Sequence, residues 1–97
     1  RLMAASLETE GAWRTAGLQA AASAARVAAA EQSEAAATEA YRLARIAYDG
    51  GKSSLIELSA ARRALVESNL ALLNARLARV RAQAQLARLS GQAPFKE

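Results

Sequence analysis

Ninety-seven residues hold 28 alanines and 13 leucines but only four aromatic residues, one proline, no cysteine and no histidine. A thick, rounded core needs large side chains to fill it, and strand formers are scarce, at three Val, two Ile and three Thr, so a β-rich fold is excluded. Disulfides, most zinc and haem sites, and every catalytic scheme built on His or Cys go with them.

The first element in chain order runs from about Ser6 to Asp49, rich in alanine and free of proline, and reads as one long helix. Gly11 and Gly17 are its weak points, each costing about 1 kcal/mol relative to Ala. A heptad runs through it in small residues. Trp13, Ala20, Val27, Tyr41 and Tyr48 form one row, broken by Glu34; Ala16, Ser23, Ala30, Ala37 and Ala44 form its companion. Small side chains on a seam let two helix backbones approach closely.

Punctuation follows at 49–53, in the run Asp49-Gly50-Gly51-Lys52-Ser53 with Ser54 next. Either Gly50 or Gly51 suits the left-handed position that ends a helix. Ser54 with Glu57 is the S-x-x-E signature of a capping box opening the next one.

A second helix over about 54–90 contains neither Gly nor Pro between Leu55 and Leu89, and Gly91 and Pro94 supply the expected stop before a tail at 91–97. Leu58, Leu65, Leu72 and Leu86 repeat at heptad spacing, beside Ala61, Ala75, Ala82 and Leu89. Ser68 and Arg79 interrupt these rows. A second stripe lies alongside: Val66, Leu73, Val80 and Ala87, with Leu70, Leu77 and Ala84. Two long helices joined by a few residues run antiparallel. The fold class expected is therefore all-α: a single long antiparallel helical hairpin, with arms of about 60 Å. One stripe on the second helix serves the hairpin itself. The other calls for a further neighbour, so an isolated hairpin would expose apolar surface and self-associate.

Charge adds a bias without a ligand. Thirteen basic and nine acidic residues give +4; residues 1–49 carry five and six, residues 50–97 eight and three. Arg62, Arg63, Arg76, Arg79, Arg81 and Arg88 are spread along a helical pattern with no interleaved aromatics for base stacking, which describes a solvated helix face and not a nucleic-acid site. No apolar run approaches the roughly 20 residues that span a bilayer, and no signal peptide is recognisable. A chain starting at Arg1 reads as a fragment or processed segment.

No chemistry survives a search for it. Gly51-Lys52-Ser53 lacks the earlier glycine of a phosphate loop, where Ile46 stands, and lacks the preceding strand. Glu31 and Glu34 share a helix face, but a bundle metal site of that kind also wants a histidine. The sequence calls for no catalytic residue, no metal ligand and no cofactor.

The tip carries a resemblance. Ala47-Tyr48-Asp49-Gly50-Gly51-Lys52-Ser53-Ser54-Leu55-Ile56-Glu57-Leu58, then Ala61-Arg62-Arg63-Ala64-Leu65 and the closing Leu86-Ala87-Arg88-Leu89-Ser90-Gly91, resembles the last long hairpin of the TolC family of outer-membrane efflux channels. The likeness is specific from about Arg42 to Gly91 and compositional before that. Its Ala-Arg-Arg-Ala-Leu wording is most similar to the branch serving heavy-metal resistance pumps. The resemblance implies export through a trimeric channel with a β-barrel in the outer membrane of a Gram-negative bacterium and a helical barrel in the periplasm. This chain would be the second periplasmic hairpin, without membrane contact of its own.

What the resemblance implies for individual residues is a tip at Asp49, Gly50, Gly51, Lys52, Ser53 and Ser54 that docks a periplasmic adaptor (membrane fusion) protein, which couples the channel to an inner-membrane pump. Tyr48 matches an aromatic that helps close the channel entrance, and Glu57 one position of an acidic ring lining it. Ala60 stands where the family's prototype has a second acid, and Ser53 where it has an arginine. Other readings are the adaptor's own helical hairpin, whose tip motif is Arg-Leu-Ser and not Gly-Gly, and a free-standing bundle binding protein or lipid, which would need a broader, bulkier apolar face.

Overall fold

The computed structural model describes the backbone of residues 2–92 and the side chains of residues 10–89 and 91. It consists of α1 (Leu2–Asp49) and α2 (Leu55–Gln92), packed antiparallel, with no strand among the described residues. The molecule measures 73 × 19 × 13 Å with a radius of gyration of 21.3 Å. A compact chain of this length would have a radius of gyration of about 13 Å. The hairpin is a rod.

Both helices run further than their sequence signals. α1 starts at Leu2, upstream of Ser6, and α2 continues through Gly91 to Gln92. Glycine ends a helix when it takes the left-handed conformation; inside a turn it only lowers stability by about 1 kcal/mol. Gly91 does the second. The rest of the expected tail, with Pro94, lies outside the described residues.

The seam between the helices follows the alternating three- and four-residue spacing of a coiled coil. On α1 the inward positions run Ala16, Ala20, Ser23, Val27, Ala30, Glu34, Ala37, Tyr41, Ala44 and Ala47, while Trp13 and Tyr48, expected in the first row, are exposed at its ends. On α2 they begin Leu58, Ala61, Leu65, Ser68, Leu72 and Ala75. The row then shifts. Ala78 turns inward and Arg79 outward, before Ala82, Leu86 and Leu89 resume the seam. A straight helix drifts about 20° per heptad against a strict seven-residue repeat. That drift carries Arg79 into water, where its charge needs no buried partner.

Depth is shallow everywhere. Ala16, Ser23, Val27 and Leu72 are the only deeply buried side chains among the described residues. The two seam hydroxyls bond their own helix: Ser23 Oγ donates to the Ala20 carbonyl and Ser68 Oγ to the Leu65 carbonyl, both at 2.8 Å. Each hydroxyl is thereby satisfied without a partner across the seam. The one ion pair between helices among the described residues joins Arg76 to Glu31 at 3.6 Å, on the exposed flank.

The second stripe of α2 is bare. Val66, Leu70, Leu73, Leu77 and Val80 are each between 46% and 62% exposed. On α1, Leu18, Leu43 and Ile46 also face outward, amid exposed alanines. One stripe closes the hairpin, and the other has no cover within it.

Candidate functional site: the hairpin tip

Two backbone devices meet in the five residues between the helices. α1 ends in a Schellman motif, in which Lys52 N–H donates to the Ala47 carbonyl at 2.8 Å and Gly51 N–H to the Tyr48 carbonyl at 3.0 Å. Gly50 N–H continues the helical pattern to the Ile46 carbonyl at 3.0 Å. The geometry settles which glycine is required. Gly51 has φ +74°, the one positive φ among the described residues, while Gly50 does not. A left-handed backbone costs a residue with a Cβ about 1–2 kcal/mol. Gly50 would place a Cβ 3.4 Å from the Ile46 carbonyl, an ordinary contact.

α2 opens on the expected capping box. Ser54 Oγ accepts from Glu57 N–H at 3.1 Å, and Glu57 Oε1 accepts from Ser54 N–H at 3.0 Å. Ser53 Oγ adds a third bond, donating to the same Glu57 oxygen at 2.9 Å. These bonds favour the carboxylate, the backbone one most, and hold Glu57 below the usual carboxylate range. Its charge also sits in the first turn of α2, where the helix dipole favours an anion.

Asp49 sits less comfortably. It is the last residue of α1, at the negative end of the dipole, and that last turn carries no basic side chain. Arg45, one turn back, reaches it at 3.5 Å. Tyr41 first and Asp49 second hold the Arg45 guanidinium more firmly protonated than usual. Further up α1, Arg42 hydrogen-bonds Glu39 through both carboxylate oxygens and keeps that acid below its ordinary range.

The structure thus gathers all eight sequence-expected residues, Tyr48 to Ser54 and Glu57, on one rounded end. Asp49, Gly50, Gly51, Lys52, Ser54 and Glu57 are exposed, Tyr48 nearly as much, and Ser53 is half-buried. Beside them lies a feature the sequence reading did not single out. Leu55, Ile56, Ser59, Ala60 and Arg63 line an open hollow of about 350 Å³ on the outside of α2. Ile56 is 81% exposed. The signal was available: with Leu58 on the seam, Leu55 and Ile56 cannot both turn inward on a helix of 3.6 residues per turn.

Among the described residues no cluster of acids could hold a metal ion, and no helix is long and apolar enough to cross a membrane. What remains is a slender all-helical hairpin with a glycine-turned, solvent-facing tip and an uncovered apolar stripe. A family model described as Outer membrane efflux protein matches residues 1–92. The chain belongs to that family of outer-membrane transport channels, and the adaptor and free-standing readings fall away. No curated protein and no solved structure is a match.

Proposed function

We propose that this hairpin is the second periplasmic hairpin of a trimeric efflux channel, and that its tip docks the adaptor of a tripartite export system. The observation that carries the reading is the tip itself. A Schellman turn and a capping box bond three of the last four carbonyls of α1 and the Ser54 and Glu57 N–H groups at the start of α2, so residues 49–54 hold their shape while presenting side chains and a bare glycine backbone to a partner. Gly51, with nothing within 4 Å of where a Cβ would stand, leaves open space for another backbone. Asp49 and Lys52 put opposite charges at its rim, and the unfavourable placement of Asp49 on the dipole is what a contact residue, rather than a stability residue, would show.

Tyr48 and Glu57 are proposed to line the entrance, Tyr48 as a closing aromatic and Glu57 as an acid favouring cations. The capping bonds support this second role, because they keep Glu57 charged and fix its position. The likeness of the Ala61-Arg62-Arg63-Ala64-Leu65 wording to the heavy-metal resistance branch supports placing the channel there. Substrate choice then lies with the inner-membrane pump, since a passive conduit needs no binding site of its own.

The test uses the full-length channel in cells. The 97 residues lack cysteine, so a Lys52→Cys variant offers one reactive position in this hairpin. It should cross-link to the adaptor. Gly51→Leu should lower efflux and cross-linking while helical content and channel assembly persist. Normal efflux and cross-linking with leucine at position 51 would overturn the tip assignment.

A further inference from the structure

Among the described residues three arginines have an acid beside them. Arg42 pairs with Glu39, Arg45 with Asp49, and Arg76 with Glu31 across the two helices. Arg26 of α1 and Arg81 of α2 have no such partner. Each lies five residues further from the tip than Glu31 and Arg76 respectively, so the two are level across the hairpin in the same way as that ion pair. They line one open groove between the helices, of about 340 Å³, together with Gln19 and Ser23 of α1 and Gln85 of α2. No acid stands between Gly11 and Ala30 or between Ser68 and Gly91. The nearest carboxylate along α1 is Glu31, and Arg76 holds it.

Two like charges level across a groove repel, and a guanidinium has five N–H donors and no acceptor. The neutral groups around the pair suit the same guest. Gln19 and Gln85 bring an amide donor from each helix. Ser23 is only 3% exposed and sits at the base of the groove, where its hydroxyl donates to the Ala20 carbonyl at 2.8 Å. That carbonyl lies inside α1 and is also served by the helix backbone, so the hydroxyl can turn to a guest oxygen without leaving it unbonded. The groove offers two cations, three neutral donors and no acid.

We propose that this groove binds a phosphate group, held between Arg26 and Arg81 as a bridge from α1 to α2. A carboxylate presents two oxygens and a single negative charge, enough for one guanidinium fork. A phosphate group presents at least three oxygens and a charge approaching about −2, enough for both. The bound anion replaces a repulsion between the helices with a tie. The site belongs to the shaft and stands whether or not the tip docks an adaptor.

The experiment follows the ³¹P line width of inorganic phosphate mixed with the purified full-length channel, in chloride at about 150 mM so that loose charge attraction is screened. The wild type should broaden the line. Arg26→Gln and Arg81→Gln should each weaken binding at least about tenfold, the loss expected for one charge-assisted fork. Arg79→Gln removes the same charge from an outward position beside the groove and should leave binding within about twofold. All three sites are exposed and glutamine is nearly as good a helix former as arginine, so circular dichroism should show unchanged helix content. Glycerol phosphate should displace the inorganic ion if the groove admits a phosphate carried on a larger molecule; its failure to do so would restrict the site to the free ion. Acetate at the same concentration should displace neither. Broadening that persists in Arg26→Gln and Arg81→Gln, an equal loss in Arg79→Gln, or displacement by acetate as effective as by phosphate would overturn the proposal.

Discussion

The tip and the shaft are held together by opposite means. At the tip, order comes from backbone and capping hydrogen bonds, each counted and paired: three N–H groups closing α1 and a reciprocal serine–glutamate pair opening α2. In the shaft the two seam serines bond their own helices, Arg76 and Glu31 pair across the exposed flank, and order comes mainly from a single line of apolar contact. Hydrogen-bonded order is local and directional, so it fixes a shape to within one residue. Apolar contact is additive and non-directional, so it fixes proximity well and alignment poorly. A rod whose tip is specified by direction and whose length is specified by area can vary its shaft residues widely. Its tip has less freedom.

The largest effect that would sharpen this contrast is in the shaft. Leu72→Ala removes the most buried leucine of the seam and should cost about 2 kcal/mol in urea unfolding, at the low end for leucine truncation because the site is close to solvent. Next comes the tip glycine: Gly51→Ala forces a side chain onto a left-handed backbone and should cost about 1–2 kcal/mol, whereas Gly50→Ala should cost less than half of that. A thermal melt of the two variants side by side distinguishes them. Ser54→Ala should cost about 1 kcal/mol through loss of the cap. The smallest effect should be Leu73→Ala, one position round from Leu72 and 52% exposed, at under about 0.5 kcal/mol in the chain alone. Equal losses at Leu72 and Leu73 would mean that the second stripe is covered in solution.

Acid provides one more cut between the regions. Glu57 is held below its unfolded value by bonds from Ser54 and Ser53, so its contribution is present above the ordinary carboxylate range and is lost as pH falls through the depressed value. Stability should therefore drop on acidification below about pH 4, and the drop should be shallower in Glu57→Gln. Glu39, lowered by Arg42, acts with the same sign and explains any slope that Glu57→Gln leaves behind.

Much of this was readable from composition and spacing. Alanine content, the two heptad rows of α1 and the leucine row of α2 gave an all-α hairpin because periodicity reports directly on which face is buried. The Ser54–Glu57 cap was equally plain, since its spacing is its mechanism. The assignment of the left-handed turn to Gly51 was not, because two adjacent glycines are alike in sequence and only the bond from Lys52 to Ala47 separates them. Arg79 was legible as an interruption but not as a rotation: the heptad notation assumes 3.5 residues per turn, and the helix keeps closer to 3.6. Gly91 read as a stop and lies inside α2, because a glycine supplies permission to turn and the turn itself needs bonding partners beyond it.

One consequence follows from the two seam serines that bond their own helices. Because apolar contact sets proximity better than alignment, the seam alone would tolerate a slide in steps of a whole heptad, about 10 Å. The five-residue connection at 50–54, knotted by its own hydrogen bonds, has no slack to release such a step. The turn therefore holds the two rails in one register along the whole length of the rod.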